Sequence, residues 1–154
     1  MTAQTLARVT ETLTKDNVTW QIFDSSTPGP CTLVPWCEGS CEDLAPGELG
    51  TDHARDIAAA LVDGVPVLEI AVCQWVANPK IGIRDSGSCF ALNRDAPPSV
   101  GIFTYGARHY GTFLKASWGR TLREALRLVD CQPFADLLDV AVEFARKISE
   151  ESQR

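Results

Sequence analysis

The sequence predicts an α+β fold, with an antiparallel meander sheet of about five strands and helices at both ends of the chain. Three features predict this class. Apolar residues recur at helical spacing near both termini, short apolar or alternating runs fill the middle, and turn residues separate those runs. The chain has 154 residues, the usual size of one domain, so a single domain over 1–154 is expected.

The first two elements are predicted to be a helix over residues 4–15 and a strand over Val18–Phe23. Asn17 would end the helix, and side chains alternate between the two faces of the strand. The apolar face of the helix would consist of Leu6, Val9 and Leu13.

The middle of the chain is predicted to contain a second helix followed by the remaining strands. The helix covers residues 53–62, with Thr51 or Asp52 as its N-terminal cap and Gly64 at its end. The run after Gly64 is apolar on both faces, which is typical of a central strand. The strands are expected at 65–76, 81–84, 89–92, 100–105 and 110–116.

The end of the chain is predicted to form a helix hairpin packed on one face of the sheet. A capping box at residues 121–124 begins the first helix, and Pro133 suits the first turn of the second. The apolar face of the last helix would consist of Phe134, Leu137, Leu138, Ala141, Ala145 and Ile148.

Composition and charge disfavour several classes of function. The formal net charge is −6, which disfavours nucleic acid and anionic membranes as partners of the whole protein. No run approaches the ~18 apolar residues of a membrane span. Residues 1–15 lack the pattern of a secretory signal, so the predicted compartment is the cytoplasm. Cysteines there serve as thiols or metal ligands rather than as disulfides.

Three of the six cysteines lie close together and are followed by a histidine. Five residues separate Cys31 from Cys37, three separate Cys37 from Cys41, and eleven lie between Cys41 and His53. Structural zinc takes four Cys or His ligands in a tetrahedron, and Gly39 would allow the bend between two of them. The spacing therefore predicts a zinc loop over residues 31–53 with one structural Zn²⁺ per chain, and His53 arriving from the start of a helix.

The spacing leaves alternatives open. Cys89 or His109 would replace His53 as the fourth ligand in a different arrangement of the loop. An iron–sulfur cluster, disulfides or ordinary thiols in a loop are the other interpretations of the same cysteines.

The segment Val34-Pro35-Trp36-Cys37, the cysteine four positions later and the downstream Asp52-His53 resemble a motif of small uncharacterised actinobacterial and actinophage proteins. That family has a Trp-Cys pair, a His or Cys four positions on, and a later His, followed by strands and a C-terminal helix. The resemblance covers residues 31–84, and this chain has Cys41 where His is usual. It implies a metal site and an actinobacterial or phage origin, and it carries no known activity.

We predict a zinc-stabilised, non-enzymatic protein-interaction or regulatory protein whose partner is another protein. Trp36, beside the zinc loop, is a candidate partner-binding residue because tryptophan is frequent among the residues that dominate interface energies.

Two further hypotheses rest on other residues. Cys89 and His109 would act together in a small thiol hydrolase if the fold brought them within hydrogen-bond distance. Arg120, Arg123 and Arg127 form the basic cluster that a nucleic-acid-binding module would use, and they are also candidate residues for binding a protein partner.

Overall fold

The structure, a computed structural model, describes residues 8–39, 41, 48–78, 96–104, 110–115, 123 and 132–154. In these ranges the chain forms a six-stranded antiparallel sheet and a C-terminal helix, α1 (Gln132–Ser152). The strands are β1 (Val9–Lys15), β2 (Val18–Phe23), β3 (Gly50–Val62), β4 (Val65–Ala77), β5 (Ser99–Thr104) and β6 (Tyr110–Lys115).

Each strand pairs with its neighbour in the chain, giving the spatial order β1-β2-β3-β4-β5-β6. The predicted α+β class and antiparallel meander are therefore confirmed, with six strands in the described ranges. The predicted bounds of β2, β4, β5 and β6 agree with the structure to within about two residues. The strands predicted at 81–84 and 89–92, and all but Arg123 of the first helix of the hairpin, lie outside the described residues.

The predicted N-terminal helix is wrong where it can be compared, because residues 9–15 form strand β1. Threonines at every second position favour a strand over a helix, since β-branched side chains suit a pleated surface. Asp16 and Asn17 do not end a helix. With φ angles of 51° and 64°, they form the two-residue turn that joins β1 to β2.

The helix predicted over residues 53–62 is also wrong, because this segment lies in β3 and pairs with β4 along its length. Asp63 and Gly64, with φ angles of 52° and 76°, close this hairpin. The helix prediction relied on a cap at Thr51 or Asp52, on apolar residues at helical spacing and on Gly64 as its end. Alanine, which is frequent in this segment, is also the best intrinsic helix former. Residues 58–60 are instead buried in the sheet, where their small side chains allow other elements to pack closely. Tertiary packing thus overrides local propensity.

The core lies between α1 and one face of the sheet. The predicted C-terminal helix is confirmed, with Pro133 in its first turn, and the Phe134 ring stacks on Trp20 with centroids 5.8 Å apart. Within the described ranges, no helix has the length and apolar character needed to cross a membrane. The buried residues of α1 are Ala135, Leu137, Leu138, Ala141, Ala145 and Ile148. They pack with Trp20, Ile57, Ala58, Ala60, Ile70, Val72 and Val100 of the sheet.

Candidate metal centre

The four predicted ligands come from two parts of the fold. The segment between β2 and β3 supplies Cys31, Cys37 and Cys41, and β3 itself supplies His53. Cys37 and His53 are buried, whereas Cys31 and Cys41 are half-buried. His53 therefore arrives from a strand and not from the start of a helix. The structure brings all four residues of the predicted set together, and they could hold a metal ion.

The spacing of the donor atoms suits a small tetrahedral site. The Sγ atom of Cys41 lies 3.7 Å from that of Cys31 and 3.7 Å from that of Cys37. Cys31 Sγ is also 3.7 Å from Nδ1 of His53, and all four donor atoms lie within 4.8 Å of one another. Metal bonds of about 2.3 Å to sulfur and about 2.0 Å to nitrogen give tetrahedral edges of roughly 3.5–3.8 Å. The geometry thus leaves room for one ion at the centre of the cluster.

The same distances are too long for a disulfide between Cys41 and either Cys31 or Cys37. A disulfide joins its sulfur atoms at about 2.05 Å, far less than the 3.7 Å between neighbouring sulfurs in the cluster. Each of the three is a free cysteine in the described structure.

Backbone amides in the loop point at the sulfurs. The Val34 amide donates to Cys31 Sγ and the Gly39 amide to Cys37 Sγ, each at 3.4 Å. The Cys37 amide donates to the Val34 carbonyl at 3.0 Å, which closes a tight turn between the first two ligands. Gly39 has a φ of 81°, a conformation that glycine adopts without strain. The loop is therefore shaped to present sulfur atoms that accept amide hydrogen bonds, as metal-bound thiolates do.

The pKa values of Cys31 and Cys41 are shifted in opposite directions. Burial raises the pKa of Cys31, but hydrogen bonds from the amides of Val34 and Leu33 and from the neighbouring thiols lower it more, so the net shift is downward. Burial, together with hydrogen bonds to the other two sulfurs, raises the pKa of Cys41 to about 12. A divalent cation would replace these protons, since thiolate is the form of cysteine that binds metal.

Arg55, which the sequence analysis did not single out, attaches the loop to β3. Its side chain is 2% exposed and donates to the backbone carbonyls of Trp36 and Asp24 at 3.2 and 3.0 Å. The guanidinium lies 5.8 Å from the centre of the Phe144 ring on α1. Burial lowers the pKa of Arg55, as does nearby Arg8, while acidic neighbours oppose this shift. The buried guanidinium group of Arg55 thus links the metal loop, the sheet and α1.

Glu38 forms a second attachment between loop and sheet. Its backbone amide donates to the Ala54 carbonyl at 3.0 Å, and its carboxylate accepts from the Asp56 amide at 2.7 Å. The same carboxylate forms an ion pair with Arg8 at 2.7 Å. Because Glu38 follows the ligand Cys37 directly, these bonds fix the loop next to the strand that carries His53.

Asp56 is the most strongly perturbed carboxyl group described near the loop. Burial is the largest cause, and hydrogen bonding to and repulsion from Glu69 and Glu38 add to it, raising the pKa of Asp56 to about 9. Glu69 lies on the neighbouring strand β4, two residues from the one that pairs directly with Asp56. Asp56 therefore retains its proton at neutral pH and shares it with a neighbouring carboxylate. Nothing in the sequence indicated that Asp56 would contact Glu69 and Glu38, because the segment around Asp56 was predicted to be a helix.

A groove runs between the metal loop and α1. Its volume is about 790 Å³, and Trp36 meets Phe144 edge-on inside it, with ring centroids 6.1 Å apart. Pro35 and Val140 extend the apolar surface, and polar residues border it. The sequence singled out Trp36 as a partner-binding residue, but it held no signal that Phe144, more than a hundred positions later, would face it. The polar border consists of Ser25, Ser26, Thr27, Asp139, Glu143, Lys147 and Glu151.

Of the remaining predicted site residues, the structure describes Arg123. Arg123 forms an ion pair with Asp139 of α1 at 2.6 Å. Cys89, His109, Arg120 and Arg127 lie outside the described residues, so the thiol-hydrolase and nucleic-acid hypotheses stay predictions.

Comparisons with protein-family models, curated proteins and solved structures find no match to this chain. The class of protein is therefore defined by its own fold and site, an α+β meander with a Cys₃His cluster that could hold a metal ion. The resemblance to actinobacterial and actinophage proteins and the cytoplasmic compartment stay predictions.

Proposed function

We propose that this chain is a non-enzymatic protein-interaction or regulatory protein whose fold is held by one structural Zn²⁺ bound to Cys31, Cys37, Cys41 and His53. The observation that best supports this proposal is that the four donor atoms lie within 4.8 Å of one another. Four protein ligands complete a tetrahedral zinc shell and leave no position for a substrate or a reactive water. The metal would therefore stabilise the protein rather than catalyse a reaction.

The donor set supports zinc over other metals. Three sulfurs and one imidazole nitrogen at tetrahedral spacing are typical of structural zinc, whereas calcium and magnesium prefer oxygen ligands. Clusters of iron and sulfur are held in most cases by four cysteines, or by paired histidines in the Rieske type. A single imidazole among three thiolates fits neither arrangement.

The working surface in this proposal is the groove between the loop and α1. Trp36 and Phe144 offer a large aromatic surface at its centre, and aromatic residues are enriched where partners bind most tightly. Trp36 directly precedes the ligand Cys37, so the metal would hold one wall of the groove in position. The occupant would be a segment of another protein that inserts an apolar side chain against the two rings.

Metal content of the native protein tests the zinc site. We expect about one zinc ion per chain, measured by native mass spectrometry and elemental analysis of the same sample. Cys37→Ser should lose the metal. Cys73→Ser is the matched control, because Cys73 is a buried free thiol outside the cluster and its removal should leave zinc bound. Wild-type protein from zinc-supplemented cells that contains no zinc, or a Cys37→Ser variant that retains it, would refute the site.

A peptide-display library tests the groove. Peptides selected on the zinc-loaded protein and counter-selected on Trp36→Ala should carry an aromatic or aliphatic anchor and should bind wild type at least tenfold more tightly than the variant. Val65→Ala, at an exposed apolar position elsewhere, is the control and should bind them normally. Enriched peptides that bind wild type and Trp36→Ala equally would place the interaction surface elsewhere.

A further inference from the structure

Strand β1 lies at one edge of the sheet that the described strands form. It pairs with β2 on one side, and among the described residues no strand lies along the other. Residues 10–17 are all exposed, and the Leu13 side chain is 39% exposed. The strand contains no proline. An edge of this kind presents unpaired backbone groups and can pair with another strand.

The turn between β1 and β2 determines which backbone groups point outward. Lys15 and Val18 flank a two-residue turn and pair directly, which makes them a hydrogen-bonded pair of the antiparallel ladder. Such pairs alternate along the ladder, so Leu13 and Glu11 also direct their backbone groups toward β2. Thr12 and Thr14 therefore direct their N–H and C=O groups away from the sheet.

We propose that β1 is a dimerisation surface, where it pairs antiparallel with β1 of a second copy about a two-fold axis at Leu13. In this register Thr12 of each copy lies opposite Thr14 of the other, and their outward backbone groups exchange hydrogen bonds. The two Leu13 side chains meet at the axis. Glu11 of each copy lies opposite Lys15 of the other, so the interface contains two cross-strand pairs of opposite charge.

Charge complementarity favours this register over its neighbours. A shift of the centre to Thr12 places Glu11 opposite Leu13, and a shift to Thr14 places Leu13 opposite Lys15. Both shifts lose the two charge pairs and the apolar contact at the axis. The irregularity between Val9 and Glu11 in the β1–β2 ladder limits the regular edge to residues 11–15. The interface is therefore short, and the dimer should be weak and dependent on concentration.

Charge reversal tests the proposal. Glu11→Lys and Lys15→Glu each place like charges opposite one another at both ends of the interface, so each variant should dimerise at least about tenfold more weakly than wild type. An equimolar mixture of the two variants restores two attractive pairs and should form a heterodimer. The double variant Glu11→Lys/Lys15→Glu should dimerise as wild type does. Sedimentation equilibrium over a wide range of protein concentration measures all four samples.

Arg154→Glu is the control, because it changes the charge by the same amount as Lys15→Glu at an exposed position outside the sheet. It should dimerise normally. Circular dichroism and zinc content should be unchanged in every variant. A loss of dimerisation could then not be due to misfolding or to failure of the metal site. Wild type that stays monomeric at millimolar concentration, or a mixture and double variant that stay as weak as the single variants, would overturn the proposal.

Discussion

At the scale of single residues, Asp56 gives the protein a specific dependence on pH. Its pKa of about 9 in the fold exceeds the value of ~3.9 expected in an unfolded chain. Between these two values the folded protein binds one proton more, so this residue's contribution to the free energy of unfolding falls as pH rises. Asp56 makes its full contribution to the free energy of unfolding at pH values below its pKa in the unfolded chain. This contribution is lost as the pH rises through its pKa in the folded protein.

Asp56→Asn should therefore stabilise the protein at alkaline pH. Asparagine keeps the shape and the hydrogen-bond donor of the protonated acid but does not ionise. At pH 8 we expect its free energy of unfolding to exceed that of wild type by about 1 kcal/mol or more, and the difference should vanish near pH 4. Urea unfolding across this range measures it, with Asp63→Asn in the exposed β3–β4 turn as the control. If the free energy of unfolding of Asp56→Asn depended on pH as that of wild type does, Asp56 would not hold the proton that we assign to it.

The site itself could be predicted in part from its residues. The spacing of Cys31, Cys37 and Cys41 limits them to one small loop, which is why local sequence sufficed to group them. His53 joins the cluster because the chain returns along β3. The sequence predicted that His53 would lie with the three cysteines, but it placed this residue at the start of a helix instead of in a strand. Arg55 and Phe144 could not be predicted, because their contact depends on where α1 packs on the sheet.

At the scale of elements, α1 stabilises the fold through its buried face. Leu138 is completely buried in the core, whereas its neighbour Val140 is 41% exposed. Leu138→Ala should lower the free energy of unfolding by about 2–5 kcal/mol, because it removes apolar contacts and leaves a cavity. Val140→Ala, the matched control, should cost less than about 1 kcal/mol. Chemical denaturation compares the two, and equal costs would mean that α1 does not pack on the sheet as described.

The elements also show where sequence patterns mislead. In β1, Val9 and Leu13 lie four positions apart, which fits a helix, but the threonines between them follow the two-residue period of a strand. In β3, residues 58–60 are alanines whose helix propensity is outweighed by pairing on both sides and by burial. Strands β2, β4 and β5 were predictable because their branched and aromatic residues agree with their burial.

At the scale of the whole molecule, the proposed zinc ion would join parts of the chain that are 22 residues apart, from Cys31 to His53. A cross-link closing a loop of this length contributes about 3 kcal/mol by restricting the unfolded chain. We expect a chelator to lower the free energy of unfolding by at least that amount and excess zinc to restore it. Identical urea denaturation curves with and without chelator would contradict a structural ion. Cys37→Ser should be insensitive to both additions.

The strictly sequential meander has a consequence for how the protein acquires its structure. Each of the described strands pairs with the described strand that precedes it, so contacts within this sheet are local in sequence and can form rapidly. The sheet can therefore assemble during synthesis, in the order in which its strands leave the ribosome. Among the described residues, α1 supplies the other half of the core, so the apolar face of the sheet lacks this cover until α1 follows. A nascent chain that stalls before α1 would expose this apolar face of the sheet, and chaperones recognise exposed apolar surface of this kind.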